Sequence, residues 1–314
     1  MKIEYDPGLI EEVVFKTIKL REEKGDNVLS DEYHALTDPI YENFPLEERS
    51  VQFRKVEWDF FKKLGFSKLI EEAFKEYPQV EGKVAGGVIA KAKNTQDEGS
   101  NLVKSLDASG KKRIIVKLLP DRFHEGAVLQ KILHHELMHV MDMLDDTFGY
   151  RDERLGVNPM EENIICDRYK TFWDIFVDSR LVKQGKETVV SKEGRYQEFD
   201  ALYQSFPLET KRAIFNTLWE DGSLTHDKIL ELAEDVNKVM AIADKGGQPG
   251  RTKKSHLLGA QCPLCQFRTY DWVEDPEQEP HLVKAIQEEF PNWVIDDGVC
   301  ERCAEVYKLQ SVIS

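Results

Sequence analysis

The sequence predicts an α+β protein that is mostly helical, with a small β-sheet in its core. Three observations carry that reading. Apolar residues recur at helical spacing through much of 7–77 and 161–243. Between these stretches stand two short β-branched runs separated by a polar turn region. Near the C-terminus, four of the five cysteines form two C-x-x-C pairs, the spacing of a small metal-held module. The chain is thus expected to comprise an N-terminal helical region packed on the core (1–80), the core itself (81–245), a linker (246–261) and a cysteine module (262–314).

Pro7 to Lys24 is expected to be helical, with Leu9, Ile10, Val13, Val14, Ile18 and Leu20 as its apolar positions and Gly25 as its stop. Asp38 to Pro45 reads as a loop. Helices follow from about Glu47 to Leu64 and from Ser67 to Tyr77, both rich in aromatic residues and without evident chemistry. Lys83 to Lys93 and Lys112 to Leu119 are the two strand-like runs, expected to be neighbours, with Asn94 to Gly110 as the turn region between them. Pro120 and Asp121 end the second run, and a long helix is expected from about Phe123 through Leu144. After a loop to Pro159 come helices at Glu161–Gln184, Glu193–Ser205, Leu208–Glu220 and Thr225–Ala243. Gly246 to Ser255 has linker composition.

The totals narrow the classes of function. A chain of 314 residues with 41% hydrophobic and 32% charged residues is of ordinary globular composition. It lacks the run of about eighteen apolar residues that a membrane span needs. Its N-terminus, Met1 to Pro7, has no apolar signal region, which predicts a cytoplasmic protein. The net charge of −15 works against non-specific binding to nucleic acid or to anionic membranes.

The stretch with the clearest chemistry is His135-Glu136-Leu137-Met138-His139. On a helix, residues four apart share a face, so both imidazoles can bind one metal ion. Glu136 is then placed to act as general base on a water at that metal. The bland alternative is two satisfied histidines. His134 points about 100° away and reads as a polar contact, and His124 reads as structural.

A catalytic zinc site usually takes a third protein ligand and keeps a fourth position open. Asp142 lies about 7.5 Å along the axis from the midpoint of the histidines, too far for a short carboxylate. Asp145 would need a sharp turn after His139, and Asp142 stands where that turn needs glycine. On the next long helix, Asp167, Thr171, Asp174 and Asp178 form one stripe, spaced 4, 3 and 4 apart. The rest of that segment is apolar on nearly every face, which predicts burial. Buried carboxylates require a cation or strong donors. Asp174, Asp178, Asp167, Asp145 and loop acids such as Glu153 all stay open as ligands on these grounds. Arg180 reads as an ion-pair partner of the stripe, and Cys166 as a buried apolar filler.

H-E-x-x-H followed by a helix with an acidic pair four residues apart resembles the gluzincin branch of zinc metallopeptidases. In that branch a glutamate is the third ligand and an aspartate four residues later orients a ligand histidine. Asp174-Ile-Phe-Val-Asp178 matches the spacing, with aspartate in place of glutamate. The resemblance therefore implies a zincin-like fold, His135, His139 and Asp174 as ligands of a catalytic zinc ion, and Asp178 as the partner that fixes an imidazole tautomer. It covers only the two helices.

Cys262-Pro-Leu-Cys265 and Cys300-Glu-Arg-Cys303 are expected to hold a second, structural zinc ion in a zinc ribbon, with a helix from His281 to Phe290 inserted between the knuckles. The leading expectation is a zinc metallopeptidase acting on peptide or protein substrates through a zinc-activated water and Glu136. The strand at Arg113–Leu118 is expected to offer its edge to an extended peptide. A protein partner could dock on the cysteine module; its acidic insert, Glu274 to Glu279, makes nucleic acid an improbable one. Two alternatives stand beside this: a non-catalytic, zinc-stabilised scaffold, and a nucleic-acid-associated protease similar in layout to the SprT family. The latter would need a downstream histidine ligand from His226, His256 or His281.

Overall fold

The computed structural model describes all residues except 106–109, 156–158, 205, 244–258, 292 and 314. In chain order its elements are β1 (Ile3–Tyr5), α1 (Pro7–Glu22), α2 (Val28–Asn43), α3 (Leu46–Lys63), α4 (Phe66–Lys75), α5 (Pro78–Glu81), β2 (Val84–Lys91), β3 (Gly99–Lys104), β4 (Lys112–Leu118), α6 (Gly126–Leu144), α7 (Pro159–Lys183), α8 (Lys192–Leu202), α9 (Leu208–Glu220), α10 (His226–Glu234), α11 (Val236–Met240), α12 (Pro280–Glu289) and α13 (Glu301–Ile313). The protein is thus α+β and mostly helical. Among the described residues no helix is long and apolar enough to cross a membrane. The elements group into two units, Met1–Tyr150 with Val177–Lys192, and Arg151–Phe176 with Glu193–Ser314. The boundary passes through the unbroken helix α7.

In the first unit, α1 begins where Asp6 accepts a hydrogen bond from the Gly8 N–H at 2.9 Å and Pro7 pre-sets the first turn. Its stripe of Leu9, Ile10, Val13, Val14 and Ile18 is buried. The loop expected at Asp38–Pro45 is instead mostly helix, because α2 runs through Pro39 to Asn43. Proline removes one ladder hydrogen bond, yet burial of Thr37 and Ile40 holds this last turn in place.

The sheet has the order β1-β2-β4-β3, with β1, β2 and β4 parallel and β3 antiparallel to β4. The two expected strands are indeed neighbours. β1 docks on Gly86, where a Cβ would lie 2.9 Å from the Lys2 carbonyl oxygen, so only glycine fits without a backbone shift. The edge expected at Arg113–Leu118 is a correction: β4 is an inner strand, and the edges are β1 and β3. β3 itself falls within the stretch read as a turn. Ile114, Val116 and Leu118 of β4, and Leu129, Leu133, Leu137 and Val140 of α6, are fully buried, each contributing roughly 1.5–3 kcal/mol of apolar burial.

In the second unit, Phe172 on α7, Phe199 on α8 and Tyr203 just after α8 form an aromatic cluster, the closest pair having ring centroids 4.8 Å apart. Ile214, Phe215, Leu218 and Trp219 of α9 are buried in the same unit. The helix expected from Thr225 to Ala243 is broken at Asp235, whose side chain caps α11 by accepting from the Asn237 N–H at 2.9 Å. The expected linker residues, Gly246 to Ser255, lie outside the described residues. The cysteine module packs Leu282, Ile286, Trp293, Val299, Ala304 and Tyr307 around its cysteines. Among the described residues its pairing amounts to two isolated bridges, Gln261 with Arg268 and Trp272 with Cys300. The helices α12 and α13 supply most of its core, so it is less strand-built than a ribbon.

Candidate metal centres

Helix α6 places His135 and His139 one turn apart, both about nine-tenths buried, with their Nε2 atoms 3.1 Å apart. Asp178 on α7 is fully buried, and its Oδ1 lies 2.7 Å from His135 Nδ1. A carboxylate only accepts, so the His135 proton sits on Nδ1 and the Nε2 lone pair is left toward His139. Asp174 precedes Asp178 by one turn of the same continuous helix. One nitrogen from each histidine and one carboxylate oxygen of Asp174 all lie within 4.8 Å of one another.

These distances fit a metal ion. Tetrahedral bonds of about 2.0–2.1 Å place neighbouring donors about 3.3 Å apart, close to the observed 3.1 Å between the two Nε2 atoms. Asp174 also accepts from a buried guanidinium, Arg195 Nη1, at 3.0 Å. No spacing rule links Arg195 on α8 to the motif. The one hint in the sequence is the need of a buried carboxylate for a strong donor.

Glu136 is half-buried on the adjoining face of α6. The edge strand β3 lies against it: Ser100 Oγ donates to the Glu136 carbonyl at 3.0 Å, and a Cβ on Gly99 would lie 3.9 Å from Glu136 Oε2. Gly99 has φ of 146°, a conformation that suits glycine.

The other acids have different tasks. Asp142, nearly fully buried, takes a two-pronged bond from Arg180 at 2.7 and 2.5 Å. Asp145 accepts from the hydroxyl and the N–H of Thr147 in the turn after α6, and these bonds hold its carboxyl below the usual range. Asp167 is exposed. Glu153 pairs with Arg151 and His226. His134 contacts Tyr77 and Lys186, and burial lowers its pKa. Cys166 is exposed rather than a buried filler, because its side of α7 faces away from that unit's core.

The four thiols of the C-terminal module form a second constellation. Cys262 Sγ and Cys303 Sγ are 3.9 Å apart, as are those of Cys265 and Cys300, and all four lie within 4.8 Å. A tetrahedral site with metal–sulfur bonds of about 2.3 Å has edges of about 3.8 Å, whereas a disulfide brings sulfurs to about 2.05 Å. Burial raises the Cys300 and Cys303 thiols. At Cys262 burial acts the same way, but backbone N–H groups, that of Cys265 first, outweigh it and lower the value. Thiolates at Cys300 and Cys303 therefore call for a cation beside them.

Among the described residues, then, two groups are able to hold a metal ion, one of two imidazoles and a carboxylate, the other of four sulfurs. No protein-family model, no curated protein and no solved structure matches this chain.

Proposed function

We propose that the protein is a zinc-dependent metallopeptidase, gluzincin-like in its ligand pattern, with a second, structural zinc ion in its cysteine module. The observation that carries this reading is the alignment of Asp178 on His135 Nδ1 at 2.7 Å, with Glu136 on the neighbouring face beside an edge strand. Closed four-thiolate sites stabilise structure, while sites with three protein ligands leave room for chemistry.

When bound, zinc supplies Lewis acidity toward a carbonyl and toward water. The residues of the chain do the rest. Asp178 keeps the His135 tautomer fixed and the ring immobile. Glu136 takes the proton of the attacking water and delivers it to the leaving amine. β3, antiparallel and at the sheet edge, offers its outer edge to an extended peptide, which adds as a further strand as the Leu102 N–H exchanges the Asn101 side chain for it. This gives β3 the role first expected of β4. Substrates are accordingly peptides or unfolded protein segments, and the proposed compartment is the cytoplasm.

The SprT-like alternative needs a downstream histidine ligand. His226 is buried against the Tyr169 hydroxyl at 2.7 Å and Glu153 at 3.4 Å, His281 is exposed, and His256 lies outside the described residues; the placements of His226 and His281 favour Asp174 instead. The test is Glu136→Gln. It is expected to keep both metal ions and lose cleavage of a peptide library by at least a hundredfold, in line with removal of a general base. Unchanged cleavage rejects the peptidase reading, and absence of cleavage by the wild-type protein favours the scaffold.

A further inference from the structure

We infer that Arg195 is a positioning residue that clamps the Asp174 carboxylate and sets the plane it presents to a metal ion. The inference rests on the reading of Asp174 as a metal ligand.

Both partners belong to the second unit, Asp174 on α7 and Arg195 on α8, with side-chain exposures of 8% and 7%. Arg195 Nη1 donates to Asp174 Oδ2 at 3.0 Å and also to Glu198 Oε2 at 2.8 Å. Glu198 sits three residues on along α8 and is half-exposed. The arrangement is a carboxylate–guanidinium–carboxylate chain that runs from solvent to the buried end of Asp174.

Three physical points give this chain a purpose. A buried carboxylate needs a counter-charge even before metal arrives, and Arg195 supplies one that does not titrate away. The last torsion of aspartate is broad, so its carboxylate plane must be set by a partner rather than by its own rotamer preference. A carboxylate has two oxygens and roughly four acceptor positions, so it can serve a guanidinium and a metal ion at once. Glu198 offsets the repulsion a guanidinium would otherwise exert on a divalent cation, and it holds Arg195 from the other side. The clamp does for Asp174 what Asp178 does for His135.

A plain ion pair between α7 and α8 would leave a different trace: lost stability with no selective effect on metal. The experiment loads cobalt(II) into the full chain, where thiolate charge-transfer absorption reports the four-cysteine site and ligand-field bands report the nitrogen–oxygen site. Competition with a chelator then gives both affinities in one molecule. Arg195→Met is expected to weaken the nitrogen–oxygen site by about 10–100-fold, the usual effect of removing a ligand's partner, with the thiolate site unchanged. Arg195→Lys keeps the charge but not the planar fork, and is expected to fall between the two. Affinity within twofold of wild type in both variants overturns the clamp. If Arg195→Met fails to fold, Arg195→Lys alone decides by the same criterion. Asp174→Ala separates the two readings: full affinity there rejects Asp174 as a ligand, whereas lost affinity there with unaffected Arg195 variants rejects only the clamp.

Discussion

Replacing Asp178 tests the site more sharply than replacing a ligand, because it leaves every donor atom in place. Its Oδ1 lies 2.7 Å from His135 Nδ1, and its side chain is fully buried. A hydrogen bond to a charged group is worth about 1.5–3 kcal/mol and a neutral one about 0.5–1.5 kcal/mol. Asp178→Asn therefore removes about 1–1.5 kcal/mol from the metal-bound state, or roughly a tenfold loss of zinc affinity at about 1.4 kcal/mol per decade. Asp178→Ala leaves the imidazole N–H without its acceptor and is expected to lose up to about a hundredfold. The metal-free protein should behave differently. There the isosteric amide of Asp178→Asn drops the desolvation cost of the charge while its Oδ1 still accepts from His135, so that variant is expected to leave thermal stability unchanged or raised. Chelator competition gives the affinity, and calorimetry of the metal-free chain gives the stability. An Asp178→Ala affinity within threefold of wild type would falsify the tautomer-fixing role. A parallel fall in both quantities would assign the residue to folding alone.

Two further predictions concern other parts of the molecule. Glu57 on α3 is buried, and burial, with Glu11 as a like charge nearby, raises its carboxyl to about 7. A carboxyl whose folded value exceeds its unfolded value near 4.5 contributes most below that pH and loses its contribution as pH rises to about 7. Glu57→Gln should therefore stabilise the chain at pH 8 by on the order of 2 kcal/mol while changing little at pH 4; denaturant melts showing the same difference at both pH values would rule this out. In the cysteine module, Cys262→Ser is expected to reduce metal from two ions to one per chain and to loosen the core around Trp293, whose Nε1 donates to the Gly298 carbonyl at 2.9 Å. Metal analysis and near-ultraviolet circular dichroism read this, and retention of both ions with an unchanged spectrum would contradict it.

Where a residue pattern maps onto one element, it was readable in the sequence. The period of α1, the flanking signals of α6, the stripe on α7 and the cysteine spacing are each local, and the corresponding helices and thiol cluster stand within a few residues of the expected bounds. β3 was hidden because Gly99-Ser-Asn-Leu-Val-Lys104 is half-exposed at a sheet edge and lacks the β-branched run that marks inner strands. β1 has only three residues, and its pairing depends on Gly86, eighty residues away. α2 passes through Pro39, against the usual sense of an Asp-Pro step, because tertiary burial outweighs local preference there. α13 was masked by the second cysteine pair, since Cys303 serves both the thiol cluster and the first turn of the helix. Arg195 depends on how α7 and α8 pack, and no periodicity encodes that.

The edge strand sets a further condition on the chain. An unpaired strand edge is a standing invitation to other copies of the same protein. β3 is only six residues long, begins with a glycine at φ of 146°, and exposes Asn101 and Lys104. Shortness and exposed polar side chains are features that work against edge-to-edge pairing with sister chains. The same shortness caps how tightly any single extended segment can be held, which favours rapid exchange of whatever pairs there.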